Sequence, residues 1–132
     1  MLNDLSPNKN VVVFGEDSIV IQKYISGIKG GRTLDVTGFT EPVIKAGHVI
    51  IKLQNGNYAP MPVKDGNYEL QLPSGAEYVG VLYRSILTAK PAASIMTAGE
   101  VNVEAMPYGN SLEWNEFKEH CPHIVTIKDE EA

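Results

Sequence analysis

Between Val43 and Met106 the chain never runs far without meeting a turn, and that punctuation limits what it can fold into. His48–Leu53 (HVIIKL) ends at Gln54-Asn55-Gly56-Asn57, and Asn67–Leu72 (NYELQL) ends at Pro73-Ser74-Gly75. Tyr78–Leu87 (YVGVLYRSIL) gives way to Thr88-Ala89-Lys90-Pro91. The short run Ala93–Met96 stops at Thr97-Ala98-Gly99, and Glu100–Ala105 follows. Asn-Gly and Ser-Gly pairs between β-branched runs are strong signals for tight turns. Alternation in Tyr68–Leu72 and Val101–Ala105 predicts strands with one buried and one solvated face. Val79, Val81 and Tyr83 are expected on one face of their strand and Gly80 and Leu82 on the other. Gly80 marks a bulge or a close backbone approach. Short strands at a spacing of roughly ten residues predict a sandwich or barrel rather than a parallel α/β sheet.

The flanks are less regular. Residues 1–10 (MLNDLSPNKN) are polar apart from Met1, Leu2 and Leu5. They read either as an extended arm or as a frayed terminus. Val11–Phe14 has the pattern of a buried strand. Ser18–Ile28 fits a strand, favoured by its β-branched residues. It also fits a short helix capped by Asp17 or Ser18. Gly27–Thr33 is expected to be a loop. It does not match a phosphate-binding loop: counted from Gly27, Arg32 stands where that pattern needs its second glycine, and the lysine is missing. Thr33–Phe39 (TLDVTGF) alternates and predicts a further strand.

Past Pro107 the period changes. Asn110 and Glu113 are placed like a capping pair, and Leu112–His120 predicts a helix. Trp114, Phe117 and Cys121 form its apolar stripe. Pro122 ends the helix, and His123–Ile127 predicts a last strand. The expected organisation is an arm over residues 1–10, one β-rich domain over 11–128 and an acidic tail over 129–132. The fold class is mainly β (α+β), a small barrel-like or tulip-like domain with one short C-terminal helix.

A chain of 132 residues fits one domain with its own core. Its net charge of −5 argues against a nucleic-acid surface and against a polybasic membrane anchor. No apolar run approaches the ~20 residues of a membrane helix, and residues 1–10 lack the features of a signal peptide. With Cys121 the only cysteine, no internal disulfide can form.

The nearest approach to a chemical site is His120-Cys121-Pro122-His123, with His48 as a further ligand. Zinc sites space such residues more widely, so a structural turn is the better reading, with Cys121 a small apolar residue. No serine lies in a Gly-x-Ser-x-Gly elbow. Tyr58, Tyr68, Tyr78, Tyr83 and Tyr108 fit half-buried sheet positions. No residue is assigned to catalysis, to a cofactor or to a metal.

Four segments resemble the head decoration proteins of tailed bacteriophages, the lambda-like capsid-stabilising family. Lys45-Ala46-Gly47-His48-Val49-Ile50 is similar to the opening of that family's central β region. Asn57-Tyr58-Ala59-Pro60 is similar to its Tyr-x-Pro step. Tyr78-Val79-Gly80-Val81-Leu82 resembles a Gly-centred strand, and Ala98-Gly99-Glu100-Val101-Asn102 resembles the segment before its helix and final strand. The resemblance spans residues 33–128. Head-fibre proteins of phages show a similar arrangement.

The resemblance implies a structural, non-enzymatic protein on the virion, at the capsid exterior, present in the host cytoplasm before assembly. It would bridge major capsid protein subunits, as a homo-oligomer with a trimer favoured, and act on neither nucleic acid nor membrane. An N-terminal arm would add a strand to a neighbour. Val11–Ile28 looks too ordered for such an arm, which confines it to the first ten residues. Expected capsid contacts are Leu2, Leu5 and Lys9 in the arm, Lys23, Lys29 and Arg32 as basic groups, and Tyr58, Met61 and Tyr108 in Pro-containing loops. A head-fibre or attachment module binding surface glycans is the alternative function. A small carrier or hydrolase domain is the third.

Overall fold

The computed structural model describes residues 17–69 and 71–127. The arm, the expected Val11–Phe14 strand and the acidic tail lie outside them. The order of elements is α1 (Asp17–Val20), β1 (Ile21–Thr33), β2 (Val43–Ile44), β3 (Val49–Lys52), β4 (Tyr58–Pro60), β5 (Val63–Lys64) and β6 (Asn67–Tyr68). Then come β7 (Glu77–Leu82), β8 (Ile86–Leu87), β9 (Ala92–Asn102), α2 (Trp114–His120) and β10 (Ile124–Ile127). The chain is mainly β, and its sheets do not close into a barrel.

The central sheet runs β10-β9-β7-β3-β4, with β1 also paired to β9. Most neighbours are antiparallel; β9 and β10 are parallel, with Gly99 opposite Ile124 and Asn102 opposite Ile127. Both faces are covered along Val49-Ile50-Ile51, which is why these three apolar residues run without alternation. Val49, Ile51, Tyr78, Val81, Met96, Phe117 and Ile124 belong to one core cluster. Ile50, Leu82, Ile95, Ile44 and Ile86 belong to the other. Two small pairs, β2 with β8 and β5 with β6, complete the strands.

Several turns form as the sequence predicts. Asn55-Gly56 joins β3 to β4: the Asn57 N–H donates to Asn55 Oδ1 at 2.9 Å and Gly56 takes φ +93°. In Pro73-Ser74-Gly75 the Ala76 N–H closes the turn on Pro73 O at 3.0 Å. Gly80 sits beside a register shift between β3 and β7, where Ile50 faces Gly80 and Ile51 faces Tyr78. Val79 is therefore the extra residue. This corrects the expected alternation: Val79 packs with the second cluster while Val81 and Tyr83 pack with the first.

Other expectations fail for identifiable reasons. The strand expected over Ser18–Ile28 forms from Ile21 on, and only Asp17–Val20 ahead of it is helical; no helix runs on to Gly27. Gly27–Thr33 is not a loop but the second half of β1, paired with Ala92–Met96 and bulged between Ile28 and Arg32. A Cβ on Gly27 would lie 2.2 Å from Ile95 O, so glycine lets the two backbones approach. Thr97-Ala98-Gly99 likewise lies inside β9. Thr33–Phe39 is no strand beyond Thr33. The Asp35 carboxylate accepts from Thr37 N at 3.1 Å and from Thr37 Oγ1 at 2.6 Å, which holds the backbone in a local turn instead of a ladder. Only Asn67–Tyr68 of the predicted Asn67–Leu72 strand forms, and Val103–Ala105 is a 3-10 turn.

The C-terminal helix begins at Trp114, later than expected. Asn110 lies in a 3-10 turn, and Glu113 occupies the cap position with no side-chain capping bond. Ser111 is engaged elsewhere: its hydroxyl donates to Tyr108 O at 2.8 Å and accepts from Tyr68 N at 2.9 Å. The stripe is as predicted, with Phe117 and Cys121 buried and Trp114 half-buried.

Candidate functional site

Two features stand out: the outer edge of β1 and a cavity beside His48. Among the described residues β1 pairs only with β9, and no described strand covers its other edge. Such an edge accepts an added strand. Residues Gln22–Ser26 are all exposed. Tyr24 is 46% and Ile25 58% exposed, unusual for large apolar side chains in a strand. The register explains it. Ile25 is skipped between the Tyr24–Gly99 and Ser26–Ala98 pairs, so it bulges from the ladder. Tyr24 rests on Tyr83 with ring centroids 4.7 Å apart. Across β9, Lys23 and Val125 both pair with Glu100, and Val125 is 52% exposed. The strand holds Lys23, Lys29 and Arg32 and no acid, a local basic excess on an acidic chain.

The cavity, of about 510 Å³, is lined by residues that include Phe39, Glu41, Lys45, His48, Ser85 and Tyr108. His48 comes from the start of β3 and is buried. Its Nε2 lies 3.0 Å from the carbonyl oxygen of Met61, which can only accept; Nε2 therefore carries the proton. Phe39, Tyr68 and Tyr108 surround the imidazole edge-on, with centroids 5.5, 5.2 and 5.8 Å away. Tyr68 is also buried, and its hydroxyl accepts the Val49 N–H at 3.0 Å.

Burial lowers the pKa of His48 to about 4, against a small opposing effect of its bond to Met61. The unfolded chain then takes up this proton near pH 6.5 and the folded chain only near pH 4. Stability is complete above pH 6.5 and falls as pH drops through that window, by about 1.4 kcal/mol per pH unit and roughly 3 kcal/mol in all. Urea titrations at stepped pH are expected to show this slope, and His48→Gln to flatten it. A flat wild-type profile between pH 6.5 and 4 would contradict a neutral buried imidazole.

The expected contact residues separate. Lys23 and Arg32 lie exposed on β1, and Arg32 also stands 5.8 Å from the ring centroid of Tyr58. Lys29 is on the same strand. Tyr58 is half-buried on β4, and Lys52 also approaches its ring. Tyr108 lines the cavity. Met61 is a correction: at 1% exposure it is core, placed there by the bond of its N–H to Val49 O, and offers no surface to a partner. Leu2, Leu5 and Lys9 fall outside the described residues. Tyr24 and Ile25, the most exposed apolar groups of β1, are not among the expected contacts.

The His-Cys segment resolves as a turn in which Cys121 alone is buried and His120, Pro122 and His123 are exposed. Cys121 is buried, its thiol pKa is pushed up to about 12 by that burial, and its N–H bonds Phe117 O at 2.8 Å. A neutral thiol is a poor nucleophile. Among the described residues no three His, Cys, Asp or Glu side chains are grouped to hold a metal. Among them, too, no helix is long and apolar enough to cross a membrane. No protein-family model, curated protein or solved structure matches the chain.

Proposed function

We propose that this chain is an auxiliary capsid protein of a tailed phage, which decorates the outer surface of the head and bridges major capsid protein subunits. The observation that carries the proposal is the edge of β1 that no described strand covers, with Tyr24 and Ile25 exposed on a strand that holds three basic residues and no acid. Bridging subunits needs adhesive surface rather than a reaction centre. An open strand edge supplies directional hydrogen bonds, and exposed apolar groups supply area. The basic residues offset the repulsion that an acidic chain meets at an acidic capsid exterior, over a screening distance of about 8 Å. Repetition over a lattice strengthens weak contacts by avidity.

Further support comes from where the resembling segments lie. They fall at β3, β4, β7 and β9, which are contiguous in one sheet in the order β9-β7-β3-β4. The proposed role is non-enzymatic, at the capsid exterior, with the chain as a homo-oligomer and a trimer the favoured form.

The test is co-sedimentation with expanded heads of the phage that encodes the chain, using the wild-type protein and Ile25→Lys. Stoichiometric binding by the wild type, weakened roughly tenfold by the substitution, is expected. Equal binding by both would remove the β1 edge from the contact. No binding by the wild type would sink the decoration proposal and leave the glycan-binding attachment module as the leading alternative.

A further inference from the structure

The cavity beside His48 has a chemistry that the capsid proposal does not use. Its walls are flat and apolar, contributed by the rings of Phe39, Pro42, Pro107 and Tyr108. Inside this shell stands one buried polar ring. With Nε2 committed to Met61 O, neutral His48 presents Nδ1 as an acceptor lone pair. His48 lines the cavity, whereas Met61, which holds its Nε2, does not. No donor among the described residues reaches Nδ1. A buried acceptor left without a donor costs free energy that a ligand can recover.

A second observation is independent of the first. Tyr108 holds φ +58° and ψ 21°, a left-handed conformation uncommon for an aromatic residue. It is fixed there by the bonds from Ser111 N and Ser111 Oγ to its carbonyl oxygen, at 3.0 and 2.8 Å. The loop thus spends conformational energy to set this ring against the cavity, as binding sites do. The volume is within the range of small-ligand sites, as is a wall of mostly apolar residues with a few polar groups, here His48 and Ser85 buried and Glu41 and Lys45 at the margin.

We propose that this cavity binds a planar aromatic ring carrying one N–H or O–H donor, an indole or a phenol, with the donor on His48 Nδ1 and the ring between Phe39 and Tyr108. An aromatic guest continues the edge-to-face cluster already built around the imidazole. A cationic guest is disfavoured there, because burial already keeps His48 itself uncharged. Glu41 and Lys45, both exposed, stand at the margin of the cavity and suit the amide groups of a peptide as well as water. The same ring therefore has two sources, a free small molecule or a Trp or Tyr side chain of a partner.

The test is a titration of the full chain, isotopically labelled, followed at the His48 Nδ1 nitrogen resonance at pH 7.5. The probes are indole and phenol, their methyl-blocked counterparts N-methylindole and anisole, and N-acetyltryptophanamide. Indole or phenol is expected to bind saturably and to move the Nδ1 signal, with the blocked analogue bound about tenfold more weakly or worse. Binding of the capped tryptophan as tightly as indole assigns the site to a partner's side chain. Its exclusion while indole binds assigns the site to a free small molecule. Equal binding of the blocked analogues, binding that leaves Nδ1 unmoved, or no saturable binding of either indole or phenol overturns the proposal. None of these outcomes depends on capsid binding.

Discussion

Gly80→Ala destabilises the domain by about 3 kcal/mol or more, the upper end of the overpacking range, although it adds a single methyl group. The reason lies in three strands at once. Gly80 faces Ile50 of β3 and adjoins the register shift at Val79. On its other side β9 passes so close that a Cβ would stand 2.1 Å from Met96 O and 3.1 Å from Met96 C. Both neighbours are backbone, and Met96 is itself buried in the core, so no flexible side chain can swing aside. The methyl group fits only if β7 and β9 separate, which breaks the Met96–Val81 and Ile95–Leu82 pairing. Gly56→Ala is the control. Gly56 has φ +93° and open space around it, so its cost is only that of the left-handed backbone, about 1–2 kcal/mol. Urea unfolding of the two variants measures the difference. If Gly80→Ala proves as stable as Gly56→Ala, the close approach of β9 is wrong.

Gly80 was legible in the sequence because a glycine inside an apolar alternating run weakens the strand unless a bulge or a close approach requires it. The turn at Asn55-Gly56 and the stripe Trp114, Phe117, Cys121 were legible because local chemistry and local geometry agree there. The β5–β6 hairpin carries an equally clear signal that sequence reasoning missed, Asp65-Gly66 with both residues at positive φ. Strand β1 was not legible over Gly27–Thr33. None of the residues of Gly27–Thr33 whose burial is described is fully buried, so no apolar alternation marks a core face there, and glycines placed for close approach look the same as glycines placed for flexibility. Asp35 and Thr37 show the converse case, where an alternating pattern loses to hydrogen bonds between side chain and backbone.

The candidate sites were less legible than the fold. Nothing local distinguishes Ile25 from a core isoleucine; its exposure follows from a register shift against β9, a strand some seventy residues away. The His48 cavity is assembled from α1, from the segment around Phe39–His48, from Ser85 and from Ala105–Tyr108. Only the fold brings these together. By residue type alone His48 reads as a further metal ligand, whereas its ring is enclosed by Phe39, Tyr68 and Tyr108.

Phe117→Ala is expected to cost about 3–5 kcal/mol, a third or more of the stability of an ordinary domain. It should lower the thermal midpoint by roughly 10–20 °C. Phe117 is fully buried and meets Tyr78 and Trp114 edge-on at 5.5 and 5.6 Å. A seven-residue helix has no stability of its own, so this ring is what fastens α2 to the sheet. Strand β10 depends on it as well. It follows the helix closely, through the bonds from Cys121 N to Phe117 O and from Ile124 N to Cys121 O. Amide exchange should therefore accelerate together across Trp114–His120 and Ile124–Ile127 while Val49–Lys52 stays protected. Phe117→Leu, which keeps most of the volume, should cost about 1–1.5 kcal/mol. A loss below about 1 kcal/mol for Phe117→Ala, or exchange confined to α2, would contradict this anchoring. Because Phe117 has no exposed surface, capsid binding measured on the folded fraction should be unchanged. Under the proposed function Ile25→Lys should behave in the opposite way, keeping its stability within about 0.5 kcal/mol while weakening capsid binding roughly tenfold. Measured side by side, the two substitutions separate what holds the sheet together from what its open edge does.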